Sequence, residues 1–143
     1  MNLVSRLLVP TQISTAQKVA KTLLGAALLY AGLGHLFWLR QEFVAQVPAW
    51  VPLEIDLVVV LSGIVEIALG ASLIFLSKYK AIVGFITAMF FIAVFPGNIS
   101  QYINHVDAFH LNTDNARFIR LLFQPLLVVW ALWSTTAWKS LKK

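Results

Sequence analysis

Residues 57–76 read LVVVLSGIVEIALGASLIFL, an apolar run that carries a single carboxylate, Glu66. The run has the ~20 residues that a helix needs to cross a hydrocarbon core of about 30 Å. A carboxylate in the middle of such a helix costs roughly 2.5–3.5 kcal/mol on insertion scales, and residues of this kind face a bundle interior or a polar cavity. The run therefore predicts a membrane-spanning helix, with Glu66 as the first candidate for a functional residue.

The composition of the whole chain fits a lipid environment. Of its 143 residues, 59% are hydrophobic and 12% are charged, against roughly 25% charged in a soluble domain. Apolar stretches long enough to span a membrane occur at 19–39, 57–76, 81–103 and 118–138. We expect an all-α fold, in which one domain over residues 1–143 forms an antiparallel bundle of four transmembrane helices.

The segment before the first stretch predicts either a short helix on the membrane surface or a disordered tail, because Leu3, Val4, Leu7 and Leu8 recur at helical spacing beside Arg6. The first stretch itself is long for a signal peptide and lacks a small-residue cleavage site, which favours an uncleaved signal anchor.

The basic residues predict which way the bundle faces. An even number of spans puts both termini on one side, together with eight of the eleven Lys and Arg residues: Arg6, Lys18, Lys21, Lys78, Lys80, Lys139, Lys142 and Lys143. By the positive-inside rule that side is cytoplasmic. The net charge of +5 is then a topology signal, and we expect no nucleic-acid partner. The chain has no cysteine, which excludes disulfides and thiolate metal sites.

The polar residues within the spans predict a site in the outer half of the membrane. At 1.5 Å per residue, Glu66 lies about 15 Å below the outer surface, Gln124 about 10 Å and Arg120 about 5 Å. His35 and Asn98 fall near the outer ends of spans one and three. We expect an outward-facing polar pocket floored by Glu66, with these five side chains as ligand-binding residues, and an apolar cytoplasmic half.

Glycine spacing predicts which helix faces meet. Gly63 and Gly70 share a stripe with Glu66 in span two, and Gly25 and Gly32 form a similar stripe in span one. Small residues at three- and four-residue spacing let helices approach closely in a membrane. We therefore expect Glu66 to face a neighbouring helix and not lipid.

Each candidate side chain has a structural alternative. Glu66 is either a protonated carboxyl bonded to Ser62 or Gln124, or a group for ligand, proton or partner chemistry. Arg120 either extends to the outer headgroups or pairs with Glu66, and the predicted depth difference of about 10 Å requires a downward side chain or a bridging water. His35 is either an interfacial histidine or a proton shuttle.

The connection after span three contains a further set of polar residues, His105, Asp107 and His110. Their composition is that of a loose metal site, but their spacing matches no ligand motif, so we expect a surface loop and no metal.

Five short motifs occur in order along the spans: GHLF at 34–37, VPAWVP at 47–52, SGIVE at 62–66, VFPGNI at 94–99 and RLLFQP at 120–125. Together they resemble the DoxX-like family of small four-helix membrane proteins, over about residues 25–133. The resemblance implies a bundle in a bacterial inner membrane, with His35, Glu66, Asn98, Arg120 and Gln124 facing inward. That family includes a subunit of a thiosulfate:quinone oxidoreductase, the methylamine-utilisation protein MauE and a receptor-assembly chaperone, so it fixes architecture better than activity.

Three functions follow as expectations. The first is a non-catalytic accessory subunit, or a binder of a quinone-like or lipid-like molecule, in a membrane redox system. The second is an assembly factor for another membrane protein. The third is a small membrane enzyme that transfers protons on a lipid-like substrate with a carboxyl, an imidazole and an arginine. No cofactor motif is visible, so we expect no cofactor. We expect the partners to be the bilayer, a protein of a redox or assembly complex, and a quinone-like or lipid-like ligand.

Overall fold

The structure is a computed structural model that describes residues 2–9, 12–38, 44, 47, 50–104 and 113–141. The elements follow in the order α1 (Leu3–Leu7), α2 (Thr15–Leu36), α3 (Ile55–Phe75), a 3-10 turn (Ser77–Tyr79), α4 (Lys80–Ile103), α5 (Asp114–Ser134) and α6 (Ala137–Leu141). No strand occurs in these ranges, which confirms the expected all-α class.

Four helical segments are long and apolar enough to cross a membrane: Thr15–Leu36, Ile55–Phe75, Ser77–Pro96 and Asn115–Ser134. Each begins two to four residues before its predicted start. Capping side chains explain the earlier starts of two of them. Ser14 Oγ accepts a hydrogen bond from the backbone of Gln17, whose side chain bonds back to Ser14, and Thr113 Oγ1 accepts from the backbone of Ala116. Such caps satisfy the first free N–H groups of a helix, so a polar first turn is helical although its hydropathy is low.

The first and last described helices, α1 and α6, meet at one end of the bundle, which we call the terminal end. Helix α1 packs there, with Leu7 buried against Ala81 and Ala137. The hydroxyl of Ser140 donates to the carbonyl of Arg6 at 3.4 Å. The N-terminal segment is thus a helix packed on the bundle, and its predicted position on the membrane surface stays a prediction. At the opposite end of the bundle, residues 37–54 join α2 to α3 and residues 104–113 join α4 to α5. We call it the connection end.

Helices α2 and α3 form one tightly packed antiparallel pair, and α4 and α5 form the other. A Cβ atom built on Gly32 would lie 2.7 Å from the carbonyl oxygen of Gly63, and one on Gly70 would lie 2.6 Å from that of Gly25. Real Cβ atoms do not approach carbonyl oxygens so closely, so only glycine allows this contact. The glycine stripes therefore act as predicted. Although the turn between α3 and α4 is short, each of these two helices packs more extensively on its other neighbour.

The terminal half of the bundle is not apolar, so that prediction is wrong. Lys21 lies inside the first span and is only 3% exposed. Its ammonium group donates to the carbonyl of Leu73 in the last turn of α3. Lys21 thereby bonds one of the carbonyls that the end of a helix leaves without a partner. Hydropathy places this lysine at the membrane surface, whereas the close approach of α2 and α3 covers it.

Candidate functional site

Glu66 pairs with His35 across the α2–α3 contact. The Nδ1 atom of His35 lies 3.0 Å from Oε2 of Glu66, and the two residues are 5% and 9% exposed. Gly63 lies one turn before Glu66, where a Cβ atom would come within 2.7 Å of the Cβ of His35. The glycine contact therefore brings the imidazole against the carboxylate.

The position of Nδ1 also determines how the pair is bonded. Nδ1 lies 2.9 Å from the carbonyl oxygen of Ala31, one turn back along α2. A carbonyl only accepts, so Nδ1 carries a proton that points at Ala31. Within the described part of the chain, Oε2 of Glu66 accepts no aligned hydrogen bond despite its burial. The carboxylate thus lies against the imidazole and keeps capacity to accept a hydrogen bond.

Two hydrogen bonds fix how α5 lies beside α2. The indole of Trp130 donates to the carbonyl of Ala20, and the amide of Gln17 donates to the carbonyl of Trp133, both at 2.8 Å. The helices run antiparallel, so this register places Arg120 level with about position 30 of α2.

Glu66 lies at nearly the same level as Arg120, because the glycine contacts between α2 and α3 place it beside about position 31 of α2. The predicted depth difference of about 10 Å between the two charges is therefore wrong. By the same register the end of α2 at Leu36 faces about position 61, so α3 extends about 9 Å beyond α2 at the connection end. The predicted depths were counted from the outer end of each span, which assumes that all spans end at the same depth. Because α3 extends beyond α2, that assumption does not hold.

Arg120 links Glu66 to the second helix pair. Its guanidinium, which is half-buried, is attracted electrostatically to the Glu66 carboxylate. Nη1 of Arg120 donates to Oε1 of Gln124 at 3.1 Å. Gln124, 2% exposed, donates in turn from Nε2 to the carbonyl of Phe91 on α4 at 2.7 Å. We call His35, Glu66, Arg120 and Gln124 the polar chain, and it crosses the bundle from α2 through α3 and α5 to α4.

The fifth predicted site residue, Asn98, lies in α4, but its side chain is outside the part that the structure describes. The same holds for the whole of the His105, Asp107 and His110 set. Among the described residues there is no group of three or more His, Cys, Asp or Glu that could hold a metal ion. Direct contacts thus join His35 to Glu66 and Arg120 to Gln124, electrostatic attraction relates Arg120 to Glu66, and the role of Asn98 stays a prediction.

A groove of about 350 Å³ lies between α4 and α5, beside the end of the polar chain. Its walls are formed by Phe91, Ile92, Phe95, Gln124, Pro125, Val128 and Val129. Gln124 is the one polar side chain among these lining residues. The volume falls within the roughly 300–1,000 Å³ of small-molecule sites. Glu66 is not among the lining residues and connects to this groove through Arg120 and Gln124.

Two prolines each remove one helical hydrogen-bond donor close to the groove. Pro96 has no N–H, so the carbonyl of Ile92, four residues earlier in α4, lacks its usual helical donor. Pro125 leaves the carbonyl of Leu121 in α5 in the same position. A carbonyl without its helical donor is favourable in a membrane where it lines a cavity or meets another donor.

The residues lining the groove, other than Gln124, were not among the predicted site residues. Phe91 and Phe95 stand four apart on α4, as do Gln124 and Val128 on α5. This spacing places each pair on one helix face. The sequence could therefore have indicated the groove only by an aromatic pair on α4 and by the neighbouring residues Gln124 and Pro125 on α5. Apolar pairs at this spacing are common in membrane helices, so the pair alone does not identify a site.

The model of a protein family described as Domain of unknown function (DUF8561) matches residues 24–135. The match includes all four members of the polar chain and every residue that lines the groove. No curated protein and no solved structure matches the chain significantly.

Proposed function

This chain belongs to the DUF8561 family, and we propose that it binds a small quinone-like or lipid-like molecule in the groove between α4 and α5. The observation that carries the proposal is the buried amide of Gln124 in an otherwise apolar groove, fixed by Arg120 on one side and the Phe91 carbonyl on the other. An apolar cavity with one oriented polar group is the usual form of a site for a ligand with an apolar body and a polar head.

The polar chain determines which head group fits. Arg120 has five N–H donors, and its bond from Nη1 to Gln124 uses one of them. Arg120 does not itself line the groove, so a carbonyl or hydroxyl oxygen on the ligand head would meet the guanidinium only by reaching past Gln124, while the aromatic and aliphatic walls would cover a ring or chain. Glu66 holds the arginine charge near the groove by attraction. This combination favours a quinone-like head over a plain acyl chain.

The setting of this binding function is also a proposal. We place the protein in a bacterial inner membrane with both termini in the cytoplasm, supported by the excess of basic residues on the side of the termini. In that orientation the connection end of the bundle faces the outer side of the membrane. A non-catalytic role beside the other subunits of a membrane redox system rests on the resemblance to DoxX-like proteins, and membership of that family stays a prediction. Native mass spectrometry of gently solubilised protein tests this role: a stoichiometric redox partner supports it, and a stoichiometric client membrane protein favours the assembly factor.

Replacing Gln124 tests the polar end of the groove. Gln124→Leu removes the donor to the Phe91 carbonyl and the acceptor for Arg120. We expect the Kd for a benzoquinone with a short isoprenoid tail to rise about ten-fold in calorimetric titration, the effect of one hydrogen bond to a charged partner. Gln17→Leu is the matched control, because Gln17 also bonds a carbonyl of another helix but lies at the terminal end. Equal losses in both variants, or no binding by the wild type, would refute the proposed site.

Filling the groove tests its apolar part. Val129 lines the groove and is largely exposed, so Val129→Phe adds bulk there without disturbing the core. We expect quinone binding to weaken at least ten-fold while the melting temperature stays close to that of the wild type. Ile119→Phe adds bulk to an equally exposed position of α5 outside the groove and should leave binding unchanged. Unaltered binding in Val129→Phe would place the ligand elsewhere.

A further inference from the structure

Glu66 and Arg120 carry opposite charges on either side of the boundary between the two helix pairs. The helix register places both residues level with about position 30 of α2. Their charges attract each other, but within the described part of the chain Glu66 forms its direct ion pair with His35 and none with Arg120. The two pairs also pack less extensively on each other than the helices pack within each pair. The carboxylate and the guanidinium are therefore close but not in contact.

The carboxylate side of this boundary offers a hydrogen-bond acceptor. Oε2 of Glu66 is buried and accepts no aligned hydrogen bond within the described part of the chain, because Nδ1 of His35 directs its proton at the carbonyl of Ala31. Ser62, which is half-buried, lies one turn earlier on the same face of α3 and adds a hydroxyl there. A buried acceptor without a donor destabilises the folded state, so a donor from outside the chain would be favourable at this oxygen.

The guanidinium side offers donors. Of the five N–H groups of Arg120, one donates to Oε1 of Gln124 at 3.1 Å. None of the Arg120 nitrogens is both fully buried and without a bond, so the donors that remain lie where a small group reaches them. Arg120 belongs to a membrane-spanning segment, where a charged side chain is costly unless polar partners surround it. An acceptor from outside the chain would therefore be favourable on this side.

The two charges determine what kind of group fits between them. Glu66 would repel an anion and Arg120 would repel a cation, so together they favour a neutral group. That group has to donate to the carboxylate and accept from the guanidinium, and a hydroxyl does both through one oxygen atom. With bonds of about 2.7–3.0 Å on each side, one such oxygen joins two groups up to about 6 Å apart.

We propose that the space between Glu66 and Arg120 is a binding site for a neutral hydroxyl group, supplied by a membrane alcohol such as a diacylglycerol or by a water molecule. The hydroxyl would donate to Oε2 of Glu66 and accept from an N–H of Arg120, which would link α3 to α5. Neither residue lines the groove between α4 and α5. The site is therefore separate from that groove and does not depend on the ligand proposed there.

A calorimetric titration of the full-length protein with dioctanoylglycerol, in neutral detergent, tests the lipid source. We expect this alcohol to bind saturably. Its acetate ester lacks the hydroxyl donor, and the corresponding phosphatidic acid carries a negative charge, so both should bind at least ten-fold more weakly. The alcohol should also bind equally well in the presence of the tailed benzoquinone. Displacement by the benzoquinone would place the alcohol in the groove and overturn the proposal.

Substitutions show whether the alcohol lies at the carboxylate. Glu66→Gln replaces a charge-assisted hydrogen bond by a neutral one and should raise the Kd for dioctanoylglycerol about five-fold. Glu54→Gln makes the same change at the exposed start of α3 and should alter the Kd less than two-fold. If circular dichroism shows that Glu66→Gln does not fold, Arg120→Lys replaces it; it keeps the charge, loses the fork of donors and should raise the Kd about three-fold. Equal weakening by the Glu54 variant overturns the proposal.

Infrared difference spectroscopy tests the water source. If no alcohol binds selectively, a water molecule held between the two charges should give a sharp O–H stretching band that shifts in heavy-oxygen water. The band should move in Glu66→Gln and stay in place in Glu54→Gln. Such a band supports the same site with water as its occupant. Absence of the band together with absence of selective alcohol binding overturns the proposal.

Discussion

Glu66→Leu is expected to lower the free energy of unfolding by about 3–5 kcal/mol, the cost of removing one partner from a buried charge pair. The imidazole of His35 lies 3.0 Å from the carboxylate and is 5% exposed. The guanidinium of Arg120 would also lose the negative charge that attracts it. Denaturant titration in mixed micelles, followed by the helical circular dichroism signal, measures the change.

Two variants show where that energy comes from. Glu54→Leu makes the same substitution at the exposed start of α3 and should change the free energy of unfolding by about 0.5 kcal/mol or less. His35→Leu combined with Glu66→Leu should recover part of the loss, because removing both partners leaves no imidazole without its carboxylate. Strictly additive single losses would contradict a direct interaction between the two residues.

The isosteric variant Glu66→Gln separates a structural from a functional carboxylate. It keeps the shape of the side chain and one acceptor oxygen but removes the charge near Arg120. Loss of quinone binding at nearly unchanged thermal stability would show that the charge serves the ligand. Equal losses of binding and stability would show that Glu66 holds the bundle together.

Gly32→Val is expected to lower the free energy of unfolding by about 2–3 kcal/mol, at the upper end of overpacking costs. A Cβ atom at this position would come within 2.7 Å of the Gly63 carbonyl oxygen and 2.9 Å of the backbone nitrogen of Ile67. These are backbone atoms, so a side-chain rotation cannot relieve the contact and α2 must move away from α3. The same denaturant titration measures the loss.

Ala27→Val is the matched control, because Ala27 is exposed on the same helix and the added methyl groups meet lipid. Its stability should stay within about 0.5 kcal/mol of the wild type. Gly32→Val should also weaken the contact of His35 with Glu66, one turn away, so its effect and that of Glu66→Leu should not add. A stable Gly32→Val protein would mean that α2 and α3 are not in close contact.

The sequence alone was sufficient for the properties that depend on local chemistry. Hydropathy over about 20 residues predicts the helices long enough to span a membrane, since every backbone group in lipid must bond within its own segment. The cap of α5 is local in the same way, since Thr113 accepts from the backbone of Ala116 three residues later. The isolation of Glu66 in an apolar run indicated that it faces protein, as its 9% exposure shows.

Tertiary structure decided everything that depends on how far one helix slides along another. The glycine contacts stagger α3 against α2, which brings Glu66 level with Arg120. Hydropathy along one helix contains no information on this stagger, because lipid solvates each span alike in any register. The same contact covers Lys21, which the sequence places at the surface. The groove beside Gln124 likewise exists only because α4 and α5 meet there. The sequence by itself thus determined which segments are long and apolar enough to cross a membrane, and the backbone approach of α2 and α3 at four glycines decided which of their side chains meet.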